Sequence, residues 1–293
     1  MRVGVVFPQT EIGADPGAVR AYAVAVTELG YRHILVHDHV LGADPATHPG
    51  WSGPYDVDST FHEPLVLYGF LAALTPLELV TGVLVLPQRQ TALVAKQAAE
   101  VDILTGGRFR LGVGIGWNNV EYEALGMEFT DRGRRVGDQV ELLRRLWTER
   151  SVTWSGEYET VTGAGIAPLP VQRPIPVWFG ASAPPALRRA GRLADGWFPQ
   201  AQPGAQLEEA RATVLAAAAE AGRDPCSIGM EGRVRLGVAG APAVAESVAA
   251  WAAAGASHVS VNTVGAQLEG VDAHVDALTA VSKALREAGQ VLS

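Results

Sequence analysis

The chain has 293 residues, of which 48% are hydrophobic, and its formal net charge is −8 at pH 7. This length and apolar content suffice for one large α/β domain. The negative charge and the absence of basic runs argue against a protein that binds nucleic acid or an anionic membrane surface by charge. The single cysteine, Cys226, excludes an intramolecular disulfide.

Short apolar runs alternate with helical patterns along nearly the whole chain. The runs lack strict alternation of polar and apolar residues, which is typical of strands buried on both faces of a parallel sheet. The predicted strands are 3–7, 33–36, 79–84, 110–115, 176–179, 196–199, 227–236 and 258–262. The predicted helices are 16–29, 64–74, 92–104, 132–147, 184–193, 207–221, 242–254 and 271–288.

Eight strands that alternate with eight helices predict a (β/α)8 TIM barrel, and no linker divides residues 1–293. An open doubly wound sheet is the competing architecture, but no G-x-G-x-x-G turn follows the first strand. The amino-terminal segment lacks the features of a signal peptide, and no apolar run reaches membrane-spanning length. We therefore expect a single-domain cytoplasmic protein.

Two connections are longer than ordinary loops of a barrel. Residues 40–62 follow the second strand, and residues 148–175 form an insertion before the fifth strand. The second segment contains a hairpin pattern around Ser155 and Gly156. Because long loops in compact domains often serve as lids, we expect both segments to cover the barrel mouth.

The fourth strand and the residues after it point to a site. In the run RLGVGIG, glycine alternates with branched apolar residues, so one face of the strand can accept a flat ligand or close backbone approach. Trp117, Asn118, Asn119 and Glu121 follow at the carboxyl end of this strand. Active sites of parallel barrels lie at that end.

The second strand ends in His37-Asp38-His39. One interpretation is an organic active site in which an imidazole exchanges a proton or a hydrogen bond and Asp38 orients it. A second is a transition-metal site completed by His62 or Glu63. A third is a strand end with solvent-exposed histidines.

Three further positions have both a functional and a structural interpretation. Gly82 interrupts the third strand, either as a packing glycine or as a bulge toward a ligand. Ser182, at the start of the helix predicted over 184–193, either adds to an anion site made by free amides or is an ordinary N-cap. Glu63 is either a general acid or base, or a carboxylate that favours a helix dipole.

Together these segments resemble the bacterial luciferase-like superfamily of flavin- and deazaflavin-dependent oxidoreductases, in particular its coenzyme F420-dependent group. The resemblance covers nearly the whole chain. The segments that carry it are VHDHV (36–40), LVTGVLVLPQR (79–89), the segment 95–126, DRGRR (131–135) and the segment 175–197.

The resemblance implies a flavin-like ring in the barrel mouth. Asp38 and His39 would lie near the ring, and a non-proline cis peptide between Gly82 and Val83 would support it. The resemblance also implies that Gly116, Trp117 and Glu121 contact the ring or its side chain. It further implies that the backbone amides of Gly180, Ala181 and Ser182 hold the cofactor phosphate.

The resulting hypothesis is hydride transfer between F420 and a small organic substrate, with His39 and Asp38 as catalytic residues. Trp51, Glu63 and Trp117 are candidates for the substrate side. Alternatives are an FMN-dependent monooxygenase of the same superfamily, a flavin-binding barrel without catalysis, and a metal-dependent hydrolase that uses His37, His39 and Glu63. The resemblance also implies a homodimer.

Overall fold

In a computed structural model that describes residues 1–290, the chain adopts the predicted TIM-barrel fold. The strands are β1 (Arg2–Val6), β2 (His33–Val36), β3 (Glu78–Thr81), β4 (Leu84–Val85), β5 (Phe109–Gly114), β6 (Val152–Ser155), β7 (Thr160–Ala164), β8 (Val177–Ala181), β9 (Gly196–Pro199), β10 (Gly229–Arg235) and β11 (His258–Asn262). The helices are α1 (Pro16–Glu28), α2 (Pro64–Leu71), α3 (Thr91–Leu104), α4 (Asn119–Ala124), α5 (Arg132–Thr148), α6 (Pro184–Leu193), α7 (Ala205–Glu220), α8 (Gly240–Ala253) and α9 (Gly270–Glu287).

The barrel wall is a closed parallel sheet. Its order is β3-β2-β1-β11-β10-β9-β8-β5-β4, and pairing between β3 and β5 closes the ring. β3 and β4 are two parts of one wall position, because both pair with β5. Eight strand positions therefore surround the core, and the predicted fold class is confirmed.

The third predicted strand, 79–84, is not continuous. It is divided between β3 and β4 at Gly82 and Val83, whose peptide bond is cis, as the resemblance implies. Leu79 and Val80 pair with the beginning of β5, and Leu84 and Val85 pair with its end. The division therefore turns one peptide out of the wall without breaking the barrel.

Local sequence signals explain where several helices begin. The carboxylate of Asp15 accepts a hydrogen bond from Gly17 N at 3.0 Å, and Pro16 supplies the preset first helical residue of α1. One short helix, α4, was predicted as part of a loop. Asn118 caps α4 by accepting hydrogen bonds from the N–H groups of Val120 and Glu121.

The predicted insertion, 148–175, contains the antiparallel hairpin of β6 and β7 between β5 and β8. Its packing differs from the prediction. Tyr158 N donates to Asp138 of α5 at 3.4 Å, and Glu159 accepts a hydrogen bond from Thr91 of α3. The hairpin therefore packs on outer helices, and no residue of 148–175 lines the cavity at the barrel mouth. Residues of the segment 40–62 do line that cavity.

Charged residues occupy the interior at the amino ends of the strands. Arg110 Nη1 lies 2.6 Å from Glu231 Oε2, and His33 Nε2 lies 3.0 Å from the other oxygen of Glu231. Ser260 also donates to Glu231, while Glu78 contacts Arg110 at 3.2 Å. The barrel floor is thus a paired ionic layer beneath the apolar core. No helix in the described range 1–290 is long and apolar enough to cross a membrane.

Candidate functional site

A cavity of about 440 Å³ lies at the carboxyl ends of the strands. Residues at or after β1, β2, β3, β5, β9, β10 and β11 contribute to its wall. Cavities of this size are typical of small-molecule and cofactor sites. Six of the predicted site residues line it, namely Asp38, His39, Gly82, Val83, Gly116 and Trp117.

The glycine face of β5 holds a side chain of the protein itself. A Cβ atom on Gly114 would overlap Val83 Cγ2, and a Cβ on Gly180 would lie 3.1 Å from Val83 Cγ1. Gly114 is therefore needed for Val83 to pack against the wall, and a side chain at Gly180 would crowd it. The sequence predicted that this face of β5 accepts either a flat ligand or close approach of other protein atoms. The structure shows close approach by Val83, so the surface that a flat ligand could contact is Val83 together with the Gly82–Val83 peptide.

His37 is held as a neutral imidazole. Its Nδ1 lies 2.7 Å from the carbonyl oxygen of Gly82, which can only accept, so Nδ1 carries the proton and Nε2 is an acceptor. Burial, reinforced by the positive charges of Arg233 and Arg235, lowers the pKa of His37 to about 4. The mouth thus contains a hydrogen-bond acceptor that is fixed by the same peptide that carries Val83.

His39 is surrounded by aromatic rings. Its ring centroid lies 4.7 Å from that of Phe61, 5.0 Å from Tyr55 and 5.6 Å from Trp117. Its Nδ1 lies 3.7 Å from Glu121 Oε2. The three rings and this carboxylate surround the imidazole, and only 13% of the side chain is exposed.

Glu121 lies behind His39 and not on the cavity wall. It accepts hydrogen bonds from Gln88 Nε2 at 2.9 Å and from the N–H groups of Val40 and Leu41. Burial alone would raise the pKa of Glu121, but the nearby His39 and hydrogen bonds from Gln88 and the two backbone groups hold it below its usual range. Glu121 therefore links His39, the start of the long loop and α4.

Asp38 does not orient His39, contrary to the sequence-based expectation. One of its oxygens lies 2.7 Å from Arg89 Nη2, and the other accepts from Val85 N at 2.9 Å. Burial raises the pKa of Asp38, an effect that Arg89 and the N–H of Val85 oppose. The carboxylate thus fixes the strand just beyond the cis peptide, and Glu121 has the contact with His39.

Two predicted substrate residues stand outside the cavity wall. Glu63 Oε1 pairs with Arg89 Nη1 at 2.8 Å, and Glu63 Oε2 caps α2 through Val66 N, in agreement with its structural interpretation. Trp51 packs on Trp117 with ring centroids 5.6 Å apart. Trp51 thereby supports Trp117, which does line the cavity.

The predicted phosphate site at the start of α6 offers fewer donors than expected. The first two helical residues are Pro184 and Pro185, which have no N–H, and the N–H groups of Ala186 and Leu187 both bond to Ala183 O. Ser182 is exposed and does not cap the helix. Donors to an anion must therefore come from residues before Pro184. Gly180 lines a small cavity beneath Val83, and Ala181 is buried.

Sequence reasoning missed several polar residues of the mouth. Arg233 and Arg235 extend from the end of β10, and Gln9 Nε2 donates to His37 O at 2.9 Å. Arg89 connects Asp38 with Glu63. The signal for the β10 pair was present, because charged residues alternate at the end of the strand predicted over 227–236.

The metal interpretation of the histidines receives no support from the arrangement of side chains. Within residues 1–290, no group of three or more His, Cys, Asp or Glu side chains is placed to hold a metal ion. Glu63, one proposed third ligand, is bound by Arg89 instead.

Comparisons with known proteins support the TIM-barrel fold, and the relatives they identify include enzymes named for F420 or reduced FMN. An uncharacterised protein of Mycobacterium tuberculosis (strain ATCC 25618 / H37Rv) is 42% identical over 139 residues, which are 47% of this chain and about half, 48%, of that protein. An F420-dependent glucose-6-phosphate dehydrogenase of Segniliparus rotundus is 32% identical over 218 residues, 72% of this chain and 61% of the relative.

An FMNH(2)-dependent dimethylsulfone monooxygenase of Pseudomonas putida is 32% identical over 148 residues, 49% of this chain and 40% of the relative. Among solved structures, the coenzyme F420-dependent tetrahydromethanopterin reductase of Methanopyrus kandleri superposes with a TM-score of 0.77. That alignment covers 98% of this chain and 99% of the reductase at 15% identity, so it supports the fold alone. The family described as luciferase-like monooxygenase matches residues 1–290, and the chain belongs to this family of flavin- or F420-dependent oxidoreductases.

Proposed function

We propose that this protein transfers a hydride between coenzyme F420 and a small organic substrate. The observation that carries the proposal is the position of Val83, which lines the mouth cavity and packs into the space left by Gly114 and Gly180. A rigid apolar surface of this kind suits a flat ring. The cavity volume of about 440 Å³ and its aromatic wall also fit a ring-shaped cofactor.

When bound, F420 supplies a ring carbon that accepts or donates a hydride, and the protein contributes orientation and exclusion of water. Val83 would support one face of the ring, and the other face remains for substrate. His39, held by Glu121 and three aromatic rings, would donate a hydrogen bond or a proton near the reacting centre. Neutral His37 would accept a hydrogen bond through Nε2. Asp38 and Arg89 would keep the support beneath the ring in place.

The preference for F420 over FMN rests on similarity. The alignment with the F420-dependent relative covers 72% of this chain, whereas that with the FMNH(2)-dependent relative covers 49%. An FMN-dependent monooxygenase is the alternative function, because the same support for a ring would serve either cofactor. A flavin-binding barrel without catalysis is a further alternative, and the positioned His39 argues against it. We also propose that Gly180, Ala181 and Ser182 lie near the cofactor phosphate.

The test is a titration of the full chain with F420 and, separately, with FMN, followed by fluorescence quenching. We expect saturable F420 binding that is at least tenfold tighter than FMN binding. The matched variant is Val83→Gly, which removes the apolar support and should weaken F420 binding, while Val66→Gly on an exposed position of α2 should not. Tighter binding of FMN would favour the monooxygenase alternative. Failure to bind either cofactor would overturn the proposal.

A further inference from the structure

The mouth contains two positive charges without a carboxylate partner. Arg233 and Arg235 both line the mouth cavity, and within residues 1–290 neither guanidinium has a carboxylate oxygen within 4.0 Å. Asp38 is the one carboxylate among the described residues that line this cavity, and Arg89 already pairs with it at 2.7 Å. The next carboxylate along β10, Glu231, is paired with Arg110 and His33.

The strand geometry places both arginines on one side. Residues 231, 233 and 235 of β10 share a face, because side chains alternate along a strand, and Glu231 of this set is in the barrel interior. Arg235 ends the strand and pairs in register with Asn262, another cavity residue. In the closed ring, β10 is four positions from β3, so the arginines extend from the wall position opposite Gly82 and Val83, and Arg233 reaches a small cavity of about 60 Å³ that it lines together with both.

A second cavity, of about 540 Å³, adjoins the pair. It shares Arg233, Arg235 and Gln200 with the mouth cavity, and Gln202 and Ser247 complete its polar wall. None of the described residues that line this second cavity has a carboxylate. The side-chain amides of Gln200 and Gln202 beside two guanidinium groups suit an oxyanion, which arginine binds through parallel hydrogen bonds. In a chain of net charge −8, this local excess of positive charge would also attract anions.

We infer that Arg233 and Arg235 bind an oxyanion group, phosphate or carboxylate, on the organic substrate. The inference rests on the proposed function, since it places the anionic end of the substrate opposite the support for the ring. A substrate anchored there by its charged end extends its uncharged part toward Val83, His37 and His39. The substrate class is therefore a small molecule with one neutral reactive part and one anionic end.

The experiment measures binding of glycerol 3-phosphate and of short carboxylates such as butyrate to the full chain by calorimetry, with glycerol and butanol as uncharged counterparts. We expect saturable binding of at least one anion and none of its uncharged counterpart. Arg233→Gln/Arg235→Gln should weaken anion binding at least tenfold, while Arg233→Lys should retain part of it. Arg211→Gln, on the exposed side of α7, is the matched control for loss of one positive charge.

Preference for the phosphate or the carboxylate probe identifies the group. The single variant Arg235→Gln, at an exposed position, serves if the double variant does not fold. Equal anion binding by wild type and variants would overturn the inference. So would loss of F420 binding in the double variant with anion binding unchanged, because the pair would then serve the cofactor. If the wild type binds anions through the pair but binds neither F420 nor FMN, the proposed function fails and the anion site stands.

Discussion

The Cγ2 methyl of Val83 occupies the space that a Cβ atom on Gly114 would need. The two residues belong to neighbouring wall positions, and Gly180 leaves room for the same side chain from the other side. The support proposed for the cofactor ring therefore depends on the absence of a side chain at Gly114, and a side chain at Gly180 would crowd Val83 as well.

Gly114→Ala should destabilise the protein by about 1–3 kcal/mol, the usual cost of overpacking a rigid core position. It should also weaken F420 binding, because Val83 must shift. Urea unfolding and F420 titration measure both effects. The control is Gly69→Ala on α2, where an added Cβ meets nothing within 4 Å and the free energy of unfolding should not fall. Adding Val83→Ala to Gly114→Ala should restore stability, and failure to do so would show that the overlap is not the cause.

His39→Ala should lower turnover by about 100-fold or more, the range expected for loss of a positioned acid or base. The dissociation constant of F420 should change little, because Val83 and the cavity wall remain. Steady-state kinetics and fluorescence titration separate the two quantities once a substrate is known. His48→Ala, in the same loop but outside the cavity wall, is the control. An unchanged turnover for His39→Ala would remove His39 from the proposed mechanism.

The sequence predicted the barrel well because strands and helices follow local patterns of apolar residues. The residues alone left open whether Gly82 is a packing glycine or a bulge, because a single glycine inside an apolar run fits a straight strand as well as a bent one, and it was the resemblance that implied the cis peptide at which the third strand divides. Likewise, α4 is only six residues long and has no apolar stripe that would distinguish it from a loop. Its cap, Asn118, was visible but was assigned to the mouth.

The partners of the site residues were harder to predict than the residues themselves. Asp38 and His39 are adjacent in sequence, yet they bind Arg89 and Glu121, which are 51 and 82 positions away. Such pairings depend on how loops meet at the carboxyl end of the barrel, and no local pattern encodes that. The arginine pair of β10 had a local signal, but its meaning required knowing that every nearby carboxylate already has a partner.

Stability should fall on acidification between about pH 6.5 and pH 4 because of His37. Its folded-state pKa of about 4 is below the value of 6.5 for an unperturbed histidine, so the unfolded chain binds the extra proton throughout this interval. Urea unfolding at several pH values should show a shallower decline for His37→Asn, whose amide can replace the Nδ1 donor to Gly82. His258, whose pKa burial lowers to about 3, should produce part of the remaining decline. Identical slopes for wild type and His37→Asn would contradict this assignment.

Glu231→Gln should destabilise the barrel floor by about 3–5 kcal/mol, because it leaves buried Arg110 without its closest carboxylate. Burial would raise the pKa of Glu231, but Arg110 and His33 hold it below its usual range, so the carboxylate is charged at neutral pH. The control is Lys283→Gln, which removes an exposed pair with Glu287 and should not measurably change the free energy of unfolding. Because Glu231 does not line the mouth cavity, F420 binding by the folded Glu231→Gln variant should match wild type. Unfolding at wild-type urea concentrations would mean that Glu78 alone compensates Arg110.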